Sequence, residues 1–353
     1  MNELSHIVSK VRNHQRLEKN EGLHLLRRAD LLTLATLANE IRFRFNPEKR
    51  VTYVVDRNIN YTNICVSGCD FCAFYKSPQQ AGGYIISHEA LARKIQETID
   101  LGGTQILLQG GMHPDLSLDF YIELLQFIKT NFDIHIHGFS PPEIDFIAQK
   151  SSLSVADTIA ALKEAGLASI PGGGAEILCD DIRRKASPGK CLSHVWLDVM
   201  RQAHLQGMRS SATMMFGHLE TDTHILEHLD KIRDLQDETR GFTAFIPWTF
   251  QPDNTQIRVE KKSSVDYLRV LAVSRIYLDN VDNVQASWVT QGDKIAQVAL
   301  FFGANDMGST MIEENVVASA GVDIMLPKDE LIRLIRTAGF EPRQRDCYYN
   351  LIP

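Results

Sequence analysis

Asn-Ile-Asn-Tyr-Thr-Asn-Ile-Cys-Val-Ser-Gly-Cys-Asp-Phe-Cys-Ala-Phe-Tyr-Lys occupies positions 58–76 and decides how the rest is read. Cys65, Cys69 and Cys72 stand at C-x3-C-x2-C spacing, after the β-rich run 51–56 and before a helical pattern. Three thiolates this close can hold three corners of an iron–sulfur cube, leaving one iron without a protein ligand. An open coordination position suits a catalytic metal centre, whereas structural centres are usually closed. The competing readings are a zinc knuckle with a distant fourth ligand, or three incidental thiols. Phe71 between the last two cysteines, and the position directly after a first strand, weigh against both.

Working outward, short β-rich runs at 51–56, 104–109, 134–138, 168–171, 210–215, 242–247, 283–288 and 298–302 alternate with amphipathic helical segments. Ser87 opens the first of these helices and Gly102-Gly103 ends it; Ser117 opens the second; Ser154 with Asp157 starts the third and Gly166 closes it. Strands alternating with helices imply a parallel sheet, and eight such units predict an α/β protein with a (β/α)8 TIM-barrel-like fold. An open six-stranded partial barrel is the alternative. Residues 1–49 read as a helical extension, with Leu4, Ile7, Val8 and Val11 at helical spacing and Asp30 as an N-cap. The expected division is an extension (1–49), a barrel (50–325) and a tail packed on it (326–353), the tail containing a helix from Lys328 to Ala338.

The 353 residues are 44% hydrophobic and 23% charged, an ordinary globular composition. The net charge of −7 gives no basic surplus for a nucleic-acid surface. No apolar signal segment follows the first residues, and no apolar run of 18 exists, so neither a secretion signal nor a membrane span is expected. Six cysteines, three clustered and three scattered (Cys179, Cys191, Cys347), fit a reducing cytoplasm, the scattered ones serving as small apolar residues.

In such a barrel the active site lies at the C-terminal ends of the strands, and every unusual loop falls there. Gln109-Gly110-Gly111-Met112 follows the second strand, and paired glycines let the backbone approach a ligand closely. His135 and His137 share one strand face, more simply as a hydrogen-bonding pair than as metal ligands, and Ser140 and Glu143 lie beyond them, where a ligand would sit. Pro171-Gly172-Gly173-Gly174-Ala175-Glu176 lacks a phosphate-loop or dinucleotide signature. His218 after the fifth strand is the first candidate for proton transfer, because imidazole titrates near neutral pH. Trp248, Gln251, Trp288 and Asn305-Asp306-Met307 would complete the cup.

The cysteine motif resembles the radical S-adenosylmethionine (SAM) superfamily. VVDRNINYTNIC (54–65), GGMHPDL (110–116), FSPPEI (139–144), SIPGGGAEIL (169–178), SPGK (187–190), ATMMFGHLET (212–221) and GFTAFIPWTFQP (241–252) are similar to the cyclic dehypoxanthine futalosine synthase family of menaquinone biosynthesis. The resemblance implies a [4Fe-4S] cluster on Cys65, Cys69 and Cys72 that binds SAM at its free iron and yields a 5′-deoxyadenosyl radical. It implies abstraction of the ribose C4′ hydrogen of dehypoxanthine futalosine, attack of C4′ on the benzoate ring, and loss of an electron and a proton. An external one-electron reductant such as flavodoxin or ferredoxin is implied, in the cytoplasm. Phe71, Gln109, Gly110, Gly111, Ser140, Gly173 and Glu176 are the implied SAM contacts. Met112 replaces the superfamily's usual acid, so backbone carbonyls or Gln109 would receive the SAM ammonium. His218, then Glu143 and Glu176, are the candidate bases, and Arg57 is the guess for the substrate carboxylate. Aminofutalosine synthase, the enzyme joining tyrosine to a deazaflavin precursor, and a non-enzymatic metal-binding module remain as alternatives.

Overall fold

The computed structural model describes residues 3–322 and 325–352. Met1, Asn2, Asp323, Ile324 and Pro353, at the ends of the expected extension, barrel and tail, lie outside the described residues. Helices Glu3–Arg12, Lys19–Arg28 and Leu31–Phe45 precede the first strand. Asp30 caps the third by accepting from Thr33 N–H at 2.9 Å.

The strands are β1 (Arg50–Val54), β2 (Asp56–Asn60), β3 (Gln105–Gln109), β4 (His135–Gly138), β5 (Ser169–Ile170), β6 (Arg209–Phe216), β7 (Phe242–Thr249), β8 (Asn283–Val284), β9 (Asp306–Ser309) and β10 (Glu341–Gln344). β2 to β8 form one seven-stranded parallel sheet in chain order, and β10-β1-β9 form a second. Only Val55 separates β1 from β2, so one bent run of chain serves both sheets. A bridge between Gln285 and Asp306 joins the β8 side to β9, which pairs in turn with β1, so the curled sheet is completed at its lower end. Higher up, the chain at 310–313 covers the free edge of β2. Thr310 N–H donates to Val54 O, Ile312 N–H to Asp56 O, and Asn58 N–H to Glu313 O, so the edge of β2 is not left open for another chain to join.

The α/β barrel stands, with one strand moved. The apolar run 298–302 ends the helix Asp293–Ala299 and its turn, because Ala296 and Ala299 recur on the buried side of a helix started at Asp293. The eighth strand is β9 instead. The expected strand 283–288 is cut to two residues by the short helix Trp288–Gln291. No helix among the described residues is long and apolar enough to cross a membrane.

Alternation along the strands explains why the interior is hollow. Ile106 and Leu108 on β3, and Ile136 on β4, pack outward and are fully or almost fully buried. Their neighbours Asp56, Asn58, Gln105, Gln109, His137 and Thr213 face inward and line cavities. Barrel interiors are ordinarily filled by branched apolar side chains; a polar lining leaves room for a ligand.

Candidate active site

The cysteine loop is knitted to its neighbours by its backbone. Cys65 N–H donates to Lys76 O (2.9 Å), Cys72 N–H to Cys69 O (3.2 Å), Asp70 N–H to Ala186 O (2.9 Å) and Gly189 N–H to Ser67 O (3.1 Å). Ser67 Oγ lies 3.0 Å from Cys65 Sγ and 3.2 Å from Cys69 Sγ. Met112 N–H points at Cys65 Sγ from 3.3 Å. A single tetrahedral zinc, with Zn–S bonds of about 2.3 Å, would draw its sulfurs to within about 3.8 Å of one another. Among the described residues, only His135, His137 and Cys347 bring three such ligand atoms all within 4.8 Å of one another. The loop thiols are spread wider, as the corners of a cluster are, and no fourth cysteine among the described residues lines their cavity. The donor set fits a cube with one open iron. Burial pushes the Cys69 thiol up to about 11, with the Lys190 ammonium opposing it.

Gly110 and Gly111 are glycines because of the loop beside them. A Cβ on Gly111 would sit 2.1 Å from Ile64 O, and one on Gly110 would meet the Tyr61 ring at 2.6 Å. Tight packing thus holds the loop after β3 against the cysteines. Its amides are engaged: Gly111 N–H donates to Thr62 O (3.0 Å) and Gly110 N–H to Glu143 Oε1 (2.9 Å). The carbonyls of Gly110 and Gly111 accept no hydrogen bond from the described residues and belong to the cavity wall.

Glu143, expected as a candidate base, is locked. Its Oε1 accepts from Tyr61 Oη (2.8 Å) and Gly110 N–H; its Oε2 accepts from Ser140 N–H (2.8 Å) and Ser140 Oγ (2.5 Å). Pro141-Pro142 open the helix Pro141–Ser151, and Ser140 with Glu143 forms its capping box. Burial pushes the Glu143 carboxyl up against these four donors. The residue positions the Gly110-Gly111 turn. In Glu143→Gln one amide nitrogen must face groups that now donate to oxygen. We expect a loss of about 1–3 kcal/mol of stability for each buried group left unsatisfied, seen as an earlier thermal transition of the cluster-free protein, with a raised KM for SAM in the loaded one. An unchanged transition and KM would contradict this role.

The loop after β5 closes the opposite wall. Arg183 donates to Gly174 O (3.1 Å) and Ala175 O (2.7 Å), and Trp196 Nε1–H to Gly173 O (3.2 Å). Glu176, in the left-handed region at φ 41°, accepts from Lys190 Nζ at 3.0 Å. Lys190 in turn lies 5.0 Å over the Phe71 ring. Phe71, Gln109, Gly110, Gly111, Ser140, Gly173 and Glu176 therefore converge with the three cysteines on one cavity of about 240 Å3. A second cavity of about 290 Å3 lies within the barrel. Gln109, Gly173, Gly174, Glu176 and Trp248 line both, so the two spaces share a boundary.

Two expected residues lie elsewhere. His218 lines neither cavity: its side chain is fully buried beside Phe250, and its Nε2 pairs with Met215 O at 3.1 Å. Burial lowers its pKa, against the pull of Glu220 and Glu176. Arg57 sits between the inward Asp56 and Asn58 and points outward, bonding Glu97 of the helix His88–Asp100 at 2.9 Å. Asn305 and Asp306 lie low in the barrel rather than on its rim. Arg275 donates to Asn305 Oδ1 (2.7 Å), and Arg345 grips Asp306 at 2.6 and 3.0 Å. Sequence reasoning missed the floor of the inner cavity, to which Arg345, Cys347 and Tyr349 contribute. No periodicity signals it, because it arises from pairing β10 with β1 across nearly the whole chain.

Against this geometry, the description "Radical SAM superfamily" matches residues 59–232 and "CofH/MqnC C-terminal region" matches residues 239–353. A protein of Halalkalibacterium halodurans named cyclic dehypoxanthine futalosine synthase is 44% identical over 348 residues, covering 98% of this chain and 94% of its own. A 5-amino-6-(D-ribitylamino)uracil–L-tyrosine 4-hydroxyphenyl transferase of Archaeoglobus fulgidus is 43% identical over 309 residues, covering 86% of this chain and 89% of its own. The hydrogenase maturase HydG of Carboxydothermus hydrogenoformans superimposes with a TM-score of 0.78 at 16% identity, covering 98% of this chain and 80% of its own. That last likeness concerns the fold alone.

Proposed function

The chain belongs to the radical SAM superfamily, in the branch containing cyclic dehypoxanthine futalosine synthases, and from that premise we propose that it cyclises dehypoxanthine futalosine in menaquinone biosynthesis. When bound, a [4Fe-4S] cluster and SAM would supply the radical chemistry that removes the ribose C4′ hydrogen. Cys65, Cys69 and Cys72 would hold the cluster. The free carbonyls of Gly110 and Gly111 would receive the SAM ammonium that Met112 has no acid to meet. Phe71, Gln109, Ser140, Gly173 and Glu176 bound the adenosyl group. The observation that carries this reading is the boundary shared by the two cavities, at Gln109, Gly173, Gly174, Glu176 and Trp248. A substrate in the inner cavity would adjoin SAM in the outer one directly, an arrangement that would limit side reactions of a radical. A flavodoxin- or ferredoxin-like donor in the cytoplasm delivers the electron, and residues 326–353 act as a tail completing the barrel of 50–325.

The test is anaerobic incubation of reduced, cluster-loaded protein with SAM and either dehypoxanthine futalosine or tyrosine with 5-amino-6-(D-ribitylamino)uracil, product masses being recorded. We expect a product only from dehypoxanthine futalosine, two hydrogens lighter than the substrate, with one 5′-deoxyadenosine formed. Turnover of the tyrosine pair alone would overturn the substrate assignment.

A further inference from the structure

The inner cavity carries, at its floor, two imidazoles joined through one hydroxyl. His137 lines the cavity, and its Nδ1 lies 2.6 Å from Ser169 Oγ. On the other side of that oxygen, 2.7 Å away, is His135 Nε2. His137 Nε2 has no hydrogen-bond partner among the described residues, while its ring is buried but for the cavity. His135 is only partly buried; it packs edge-on against the exposed Tyr348 at 5.0 Å, and the Asp346 carboxylate acts on its charge. The row thus runs from the cavity to the underside of the barrel.

A serine hydroxyl has one proton to give. When His137 Nδ1–H donates to Ser169 Oγ, the hydroxyl donates to His135 Nε2, and His137 Nε2 keeps a bare lone pair towards the cavity. Burial holds both rings neutral, pulling His137 down to about 3 and His135 to about 4. The carboxylates of the inner cavity have hydrogen-bonded or ionic partners. Asp56 accepts from Ser309 and Gln105, Glu314 from Asn58 and two backbone amides, and Glu176 Oε1 from Lys190, while its Oε2 makes no hydrogen bond among the described residues but lies 3.6 Å from the Arg183 guanidinium. Arg345 is spent on Asp306.

We propose that His137, Ser169 and His135 form a proton relay, His137 taking the aromatic-ring proton released in the cyclisation and the other two passing it out of the cavity. The proposal rests on the function given above. Once C4′ has bonded to a ring carbon, one of the five remaining π electrons leaves to an oxidised carrier of the iron–sulfur or flavin class. The C–H bond at the attacked ring carbon then breaks, and its electron pair joins the four π electrons left to restore the aromatic sextet. The proton goes to His137 Nε2; Nδ1–H passes to Ser169 Oγ, and Oγ–H passes to His135 Nε2. A ring that regains aromaticity by losing this proton is a far stronger acid than an imidazolium, so a weak neutral base is sufficient. The outer imidazole, only partly buried beside the exposed Tyr348, is the end of the row from which the proton leaves.

Ser169 Oγ also lies 3.3 Å from Cys347 Sγ. It stands among the three atoms that would otherwise surround an ion, and the imidazoles are satisfied by it without one.

The experiment uses cluster-loaded holoenzyme with substrate deuterated at C4′, in the parent, Ser169→Ala, Ser169→Thr and His137→Gln. Deuterium in 5′-deoxyadenosine reports the radical step, and the ratio of cyclic product to 5′-deoxyadenosine reports the proton step. In Ser169→Ala and His137→Gln the ratio should fall by roughly a hundredfold, the lower range for a lost general base, while deuterium transfer falls far less. Ser169→Thr, which keeps the hydroxyl, should recover most of the ratio. A ratio unchanged in both defective variants would overturn the relay. So would a stoichiometric zinc, found by metal analysis in the parent and lost in Cys347→Ala, because it would consume the relaying nitrogens. Absence of deuterium transfer in the parent would instead strike the proposed function, and the relay with it.

Discussion

Cys69→Ala, reconstituted with iron and sulfide, should cleave SAM no faster than protein-free controls and should lose the brown colour of the cluster. Cys69 is buried, and Ser67 Oγ lies close to it on one side and to Cys65 on the other, so an alanine leaves the cube two thiolates on a loop that cannot move to compensate. The loop is pinned by backbone hydrogen bonds to Lys76, Ala186 and Gly189, and Gly111 blocks retreat on the β3 side. The effect is all-or-none, because the electron has no route to SAM without the cluster. Cys179→Ala is the control: that thiol faces His224 O at the start of the helix Asp180–Ala186, away from both cavities, and should keep full cleavage. Retained cleavage in Cys69→Ala would reject the assignment of the three cysteines.

The second large effect concerns stability. Arg345→Met should destabilise the protein by about 3–5 kcal/mol, the cost of leaving one partner of a buried ion pair alone. Asp306 is fully buried; Arg345 meets it with two parallel hydrogen bonds, Nε to Oδ2 at 2.6 Å and Nη2 to Oδ1 at 3.0 Å. Thr52 Oγ1 and Gly308 N–H donate to the same carboxylate (2.5 and 2.7 Å), but neither carries charge. Denaturant unfolding of the cluster-free chain measures the loss as a lower midpoint. The double variant Arg345→Met with Asp306→Leu should recover a good part of it, because an apolar pair has no charge to strand. A single variant as stable as the parent would mean that water reaches Asp306.

The parts of the site legible in the sequence are local ones. The cysteine spacing and the paired glycines each sit within a few residues, where chain geometry leaves little choice, whereas Ser140 and Glu143, which read as ligand contacts, cap a helix instead. Function within those motifs was harder to read. Glu143 looks like a free carboxylate in the sequence, and only the fold brings Tyr61 and Gly110 to it. Arg57 was placed on the wrong face because a strand reverses sides at every residue, and a one-position error sends a side chain outward. His218 lies two residues past the end of β6, where the turn carries it behind Phe250 rather than over the cavity. The false eighth strand has the same origin as many such errors: a short apolar run fits a strand and a buried helix end equally well. His135 and His137 were readable as a hydrogen-bonding pair on one strand face, but not Ser169 between them, which comes from the neighbouring strand.

The pairing of β10 with β1 also constrains when the molecule can come into being. Ribosomes deliver residue 50 long before residue 341, and N-terminal segments generally begin to fold first. Here one edge of β1 must wait for its partner Glu341–Gln344, made long after it. Pairings across such long loops carry a high entropic barrier and form slowly. Until then the inner chamber has no floor, and the cluster loop stands above a barrel still open below. A finished site for iron and sulfide therefore exists only once residues 341–344 have been made, and nascent chains stalled before residue 341 should expose β1 to chaperones rather than bind substrate.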